Sequence, residues 1–138
     1  MSGWLPLQHE IRCILEDADK PPDEDDPFDQ GDADGDDRDT MLEVVSHIRD
    51  SLSIAANHTP TRESTSIRTP VFLGHGAMDE KVLPSLGQEA FETLKALGFT
   101  TEWRGYQDEG HWYKIPDEID DILDFIRVKV GWLAKQDT

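Results

Sequence analysis

Two residues of this sequence, Asp79 and His111, have the types and the placement for acid–base chemistry. Asp79 closes the run Gly74-His75-Gly76-Ala77-Met78-Asp79, and His111 closes Glu109-Gly110-His111. Each run follows a short apolar or aromatic segment and precedes a helix-patterned one. A carboxylate bonded to an imidazole fixes its tautomer and stabilises the imidazolium formed when the ring takes up a proton. Singly, Asp79 reads as a turn residue and His111 as a surface loop residue. Together, in the order Asp then His at the ends of consecutive strands, they read as two thirds of a hydrolase triad. The remaining third is a serine on a sharp Gly-x-Ser-x-Gly turn. None of Ser2, Ser46, Ser51, Ser53, Ser64, Ser66 and Ser85 has glycine at both flanking second positions; Ser85 has Gly87 on one side but Leu83 on the other.

The elements that would hold the pair follow from periodicity. Val71-Phe72-Leu73 is short, apolar and uninterrupted, as a strand buried on both faces should be. Gly74-His75-Gly76 is then expected to turn tightly. Ser85 to Gln88 has capping-box spacing, and Leu86, Ala90, Leu94 and Leu97 form the apolar face of a helix that Gly98 ends in the left-handed conformation. Residues 99–106 read as a second strand with Phe99, Thr101 and Trp103 on one side. The last helix starts at Pro116 and turns Ile119, Ile122, Ile126, Val130 and Leu133 inward. Two parallel strands joined by a helix gather ligands at their carboxyl ends, and neighbouring strands lie about 4.8 Å apart. Asp79 and His111 are therefore expected to meet. His75 has no evident partner and reads as a turn residue or a support for the pair. Trp112 and Tyr113 could line an acyl pocket, with core packing the preferred use of both.

The rest of the chain is organised around a charge insertion. The 138 residues carry a formal charge of −17, and residues 16–39 hold thirteen acids against Lys20 and Arg38, which is −11 of that total. With three prolines, two glycines and only Phe28 as a large apolar residue, this segment is expected to be disordered. Asp32-Ala33-Asp34-Gly35-Asp36 resembles part of an EF-hand loop, but setting Gly35 at the sixth position places Gln30 first and Met41 twelfth. A solvated acidic loop is the preferred reading, with no metal site. Residues 1–15 read as an apolar strand end and turn, and residues 40–138 as the folded α/β part. Within the latter, residues 40–57 are expected to be a helix, opened by a Thr40–Glu43 capping box and carrying Leu42, Val45, Ile48, Leu52 and Ala55 on one face. His47 and His58 read as ordinary surface or boundary residues, and residues 58–68 as a linker. No basic stripe exists to neutralise phosphates, which argues against nucleic acid. A single cysteine, no signal-peptide pattern and no long apolar run give a soluble, cytoplasmic protein without stable membrane insertion as the default.

Three segments resemble, in order, the C-terminal half of the acyl-protein thioesterase and phospholipase/carboxylesterase group of α/β-hydrolases. They are Ser2-Gly3-Trp4-Leu5-Pro6, His75-Gly76-Ala77-Met78-Asp79-Glu80-Lys81-Val82 and Gly110-His111. The resemblance implies a partial α/β-hydrolase fold: C-terminal parallel strands with flanking helices, interrupted by the acidic insertion. It implies Asp79 and His111 as the catalytic aspartate and histidine, acyl thioester or ester substrates, and no cofactor. The Gly-x-Ser-x-Gly elbow of that group would precede Ser2-Gly3. The expectation is therefore a hydrolase part without its nucleophile or oxyanion hole, inactive alone and prone to self-association through an uncovered sheet edge. The alternative is a non-catalytic protein of hydrolase architecture that acts by binding or regulation.

Overall fold

A computed structural model of the chain describes residues 3–20, 39–55 and 59–131. Of the segment 16–39 expected to be disordered, residues 16–18 are helical, which corrects that reading there, and residues 21–38, with the EF-hand-like stretch 32–36, lie outside the described residues. The described chain forms two compact units, Leu7–Thr65 and Met1–Pro6 with Ser66–Thr138.

In the first unit two helices, α1 (Gln8–Ala18) and α2 (Thr40–Ser51), pack on each other and bury Ile11, Met41 and Val44. The helix α1 corrects the strand-end reading of residues 1–15. Leu7, Ile11, Ile14, Leu15 and Ala18 recur at helical spacing, which outweighs the strand-like start. The start of α2 also differs from expectation. Its N-cap is Asp39, one residue before Thr40, and no side chain caps it. The Asp39 carboxylate is held instead by Arg62, with Nη2 3.1 Å from Oδ1. The buried positions are Met41 and Val44, one residue out of phase with the expected Leu42, Val45 and Ile48 face, and Leu52 is exposed. The expected linker contains a short 3-10 turn, Arg62–Ser64, closed by reciprocal bonds between Thr61 and Ser64.

The second unit is built on two parallel strands, β1 (Val71–Gly76) and β2 (Thr101–Tyr106), joined through α3 (Pro84–Ala96) and followed by α4 (Asp117–Phe125). Pairing runs in register from Val71 opposite Thr101 to Gly76 opposite Tyr106. Side chains of a strand alternate between faces, and that alternation places the two helices. Even-numbered residues meet α4: the Phe72 and Phe125 rings lie 5.5 Å apart, and Gly74 lies against Glu118. Odd-numbered residues meet α3: His75 lies against Gly87, and Trp103 lies 6.2 Å from Phe91. The sheet is thus covered by one helix on each face, an α/β arrangement.

Here β1 extends three residues beyond the expected strand, so Gly74-His75-Gly76 is not a turn. Its glycines serve close approach. A Cβ on Gly74 would lie 2.3 Å from Glu118 Oε1, and one on Gly76 would lie 2.1 Å from the Gly110 carbonyl oxygen. The helix α3 starts at Pro84, whose missing N–H and preset φ suit a first helical position, and the expected Ser85–Gln88 box does not form. Its buried residues are Gly87, Ala90 and Thr93, while Leu86 is exposed. Gly98, at φ +90°, ends it as expected. The last helix is shorter than its apolar pattern: α4 ends at Phe125 and continues as a π-helical turn, Ile126–Val130, closed by Gly131 at φ +72°. Glu118 and Phe125 are its buried residues, and Ile119 and Val130 are exposed. Leu133 lies outside the described residues.

Candidate active site

Asp79 follows β1 by three residues, in a turn whose backbone N–H donates to the Gly76 carbonyl at 3.2 Å. Two further backbone bonds fasten this turn to the last residue of β2 and to the loop after it. Ala77 N–H donates to the Tyr106 carbonyl at 2.8 Å, and Met78 N–H donates to the Glu109 carbonyl at 2.9 Å. The same approach is what Gly76 permits. Any side chain there would collide with the Glu109 and Gly110 carbonyls, so the loops bearing the two candidate residues can touch only because position 76 has no Cβ.

The carboxylate of Asp79 is fully enclosed and its two oxygens have different tasks. Oδ1 accepts from the backbone N–H groups of Lys81 at 2.8 Å and Val82 at 3.0 Å. Oδ2 lies 3.0 Å from His111 Nδ1. With the carboxylate ionised, that nitrogen carries the proton and donates it, which leaves a lone pair on Nε2. Hydrogen bonds to a charged group contribute about 1.5–3 kcal/mol each, enough to hold one tautomer and one ring orientation. The His111 side chain is 29% exposed, so the ring is anchored at its inner edge and open at its outer one. The expected meeting of Asp79 and His111 is therefore present in the structure.

His111 opens onto a recess of about 260 Å³ lined by Met78, Glu80, Lys81 and Trp112 as well as itself. Trp112 is 68% exposed and sits edge-on to the His111 ring, with Lys81 Nζ 5.8 Å from its centroid. Tyr113 is exposed too. Core packing of Trp112 and Tyr113 is thus overturned: on a loop at the carboxyl edge of the sheet, no described layer covers them. Trp112 keeps the pocket-lining use that the sequence left open.

Two further residues support the pair: His75, for which support was one of the two readings offered by the sequence, and Glu118, which the sequence did not single out. His75, read as partnerless, is 2% exposed; its Nε2 lies 2.9 Å from the Val82 carbonyl and 3.6 Å from Asp79 Oδ2. The four-residue spacing from His75 to Asp79 was the available signal, but it points to a contact only once β1 is known to include residue 75. Glu118 is 3% exposed, and its Oε2 accepts from Lys114 N–H at 2.9 Å, while Glu118 N–H donates to the Lys114 carbonyl. The segment after His111 is thereby fixed to the start of α4. Tyr106, at the carboxyl end of β2, is buried and donates its hydroxyl to Asp121 Oδ2 at 2.9 Å. Burial, and then that hydrogen bond, hold its phenol pKa well above the ordinary value.

Among the described residues no group of three potential metal ligands is assembled, and no helix is long and apolar enough to cross a membrane.

Parallel strands with a helix on each face, and Asp79 and His111 on the loops at their carboxyl ends, are the arrangement of a partial α/β-hydrolase fold. A family model described as the prolyl oligopeptidase family matches residues 43–133, and the chain belongs to that family. It is 35% identical over 67 residues to dipeptidyl-peptidase 5 of Porphyromonas gingivalis, covering 49% of this chain and 9% of that protein. It is 40% identical over 70 residues to dipeptidyl-peptidase 5 of Porphyromonas endodontalis, covering 49% of this chain and 10% of that protein. The match thus spans about a tenth of the length of these curated relatives. The chain is also 35% identical to the crystal structure of Zea mays acyl-protein thioesterase 2, over 45% of this chain and 27% of that one, with a TM-score of 0.42. The motif resemblance read from the sequence stands at the level of the α/β-hydrolases.

Proposed function

We propose that Asp79 and His111 are the carboxylate and the general base of a serine hydrolase that cleaves acyl bonds of carboxylic esters or thioesters. The observation that carries this reading is the 3.0 Å contact of His111 Nδ1 with the enclosed Asp79 carboxylate, on a ring that also lines an open recess. In the proposed cycle Nε2 takes the proton of a serine hydroxyl as its oxygen bonds to the acyl carbon. It then gives that proton to the departing alkoxide or thiolate, and repeats both transfers with water as nucleophile. Asp79 stays ionised and balances the imidazolium. Membership in a family whose relatives include dipeptidyl-peptidases supports the reaction class, and extends the candidate acyl bonds to peptides.

The nucleophile is not among the seven serines of the sequence, since none lies in an elbow frame. We therefore propose that these 138 residues supply the acid–base pair and are inactive by themselves. The test is a chimera in which residues 69–131 replace the matching segment of a dipeptidyl-peptidase relative that carries its own elbow serine. Hydrolysis that survives the exchange, and falls by roughly 10³-fold or more with His111→Gln, is the expected result. A folded chimera whose activity is indifferent to His111→Gln would contradict the assignment.

A further inference from the structure

His75 is enclosed by β2, α3 and the Asp79 loop. Its side chain is 1% exposed, and its ring lies 5.9 Å from that of Trp103 on β2. On the α3 side, a Cβ at Gly87 would come within 2.4 Å of its Nδ1, so the helix rests directly on the ring. Its other nitrogen points at the Asp79 loop, 2.9 Å from the Val82 carbonyl and 3.6 Å from Asp79 Oδ2. Both of those neighbours are oxygens. A lone pair at Nε2 would repel each of them, whereas an Nε2–H satisfies the first as a hydrogen bond and presents its positive end to the second. The surroundings therefore select a ring with a proton on Nε2.

The consequence runs through the loop. Lys81 and Val82 N–H groups bind Oδ1 of Asp79, and the Val82 carbonyl is in turn held by His75. A ring embedded between β2 and α3 thus anchors the far end of the four-residue turn that aims Oδ2 at His111. We infer that His75 is a positioning residue of the relay: it donates from Nε2 to Val82 and so fixes the carboxylate that orients His111. This inference rests on the reading of Asp79 and His111 as the relay.

The test uses the full 138-residue chain with ¹⁵N-labelled histidine, observed by long-range proton–nitrogen correlation. In the wild type His75 is expected to carry its proton on Nε2, and His111 on Nδ1. His75→Phe keeps a ring against Trp103 and Gly87 but removes the donor. It is expected to speed solvent exchange of the His111 Nδ1 proton roughly fivefold, the effect of losing about one hydrogen bond's worth of order. His75→Gln, which restores an amide donor, is expected to return that rate to within about twofold of wild type. Amide protection in β2 should stay unchanged in both variants, which separates positioning from loss of the fold. A wild-type His75 protonated on Nδ1 alone would overturn the inference, and so would a folded His75→Phe chain with unaltered exchange at His111. If His75→Phe loses β2 protection, the wild-type tautomer decides. A wild-type His111 without its Nδ1 proton would remove the relay itself, a different result from a relay that ignores His75.

Discussion

Gly76→Ala is the smallest change that should pull the two halves of the site apart. The added methyl would stand 2.1 Å from the Gly110 carbonyl oxygen and 2.3 Å from that of Glu109. Both obstacles are backbone atoms, so no side chain can rotate away. To reach ordinary contact at 3.4 Å, the loop that carries His111 must retreat by a little over an ångström. The His111–Asp79 bond is 3.0 Å long, and the same retreat takes it past hydrogen-bonding distance. It also strains the Met78–Glu109 backbone bond of 2.9 Å. Overpacking of this kind costs about 1–3 kcal/mol, which at ordinary urea sensitivity lowers the unfolding midpoint by about 1 M. The matched control is Gly98→Ala. That glycine has open space around it but sits at φ +90°, so its cost comes from backbone strain alone and should leave the site intact. The assay is urea unfolding together with the downfield proton signal of the His111 Nδ1–H. Loss of both stability and signal in Gly76→Ala is expected, against loss of stability alone in Gly98→Ala. Wild-type midpoint and signal in Gly76→Ala would refute the steric reasoning.

Three further outcomes follow from the same structure. Because burial and the Asp121 bond raise the Tyr106 pKa in the folded chain, the unfolded chain loses that proton first. The stabilisation is complete below the unfolded value near 10 and is lost as the pH rises above it. Tyr106→Phe should therefore flatten the alkaline limb of the stability–pH curve; an unchanged slope would count against the shift. A fluorophosphonate probe should leave the 138-residue chain unlabelled, and a covalent adduct on any of its serines would contradict the absence of an activated nucleophile. Finally, Ile115, Val128 and Val130 are exposed on the unit whose described sheet has only two strands. Such uncovered apolar surface and sheet edges favour association, so sedimentation should show concentration-dependent species above the monomer, and a concentration-independent monomer would argue otherwise.

The sequence disclosed the strand–loop–helix order and the Asp79–His111 meeting, because both depend on short-range pattern and on the geometry of parallel strands. It disclosed the helix phases only in part: Ala90 and Leu97 are buried as expected, but Leu86 and Ile119 are exposed. In α4 the face turned inward is set by Glu118 fitting over Gly74 and by Phe125 meeting Phe72, so a buried carboxylate takes a place on that face, with Ile122 and Ile126 half-buried and Ile119 exposed. In α2 the Asp39 side chain was claimed by Arg62, twenty-three residues away, and no local spacing signals that. The glycines of Gly74-His75-Gly76 were read as turn formers because glycine permits turns. Their actual use, admitting Glu118 and the Gly110 carbonyl, depends on neighbours that appear only in three dimensions. The same extension of β1 decides between the two readings of His75, replacing the turn residue by a buried support beside Asp79.

The central claim is that Asp79 fixes the protonation of His111 and leaves Nε2 available as a base. Nitrogen chemical shifts of His111 in the wild-type chain and in Asp79→Ala test it most directly. A protonated Nδ1 and a bare Nε2 are expected in the wild type, with a move to the Nε2–H form when the carboxylate is removed. An Nε2–H form in the wild type, or a tautomer indifferent to Asp79→Ala, would contradict it.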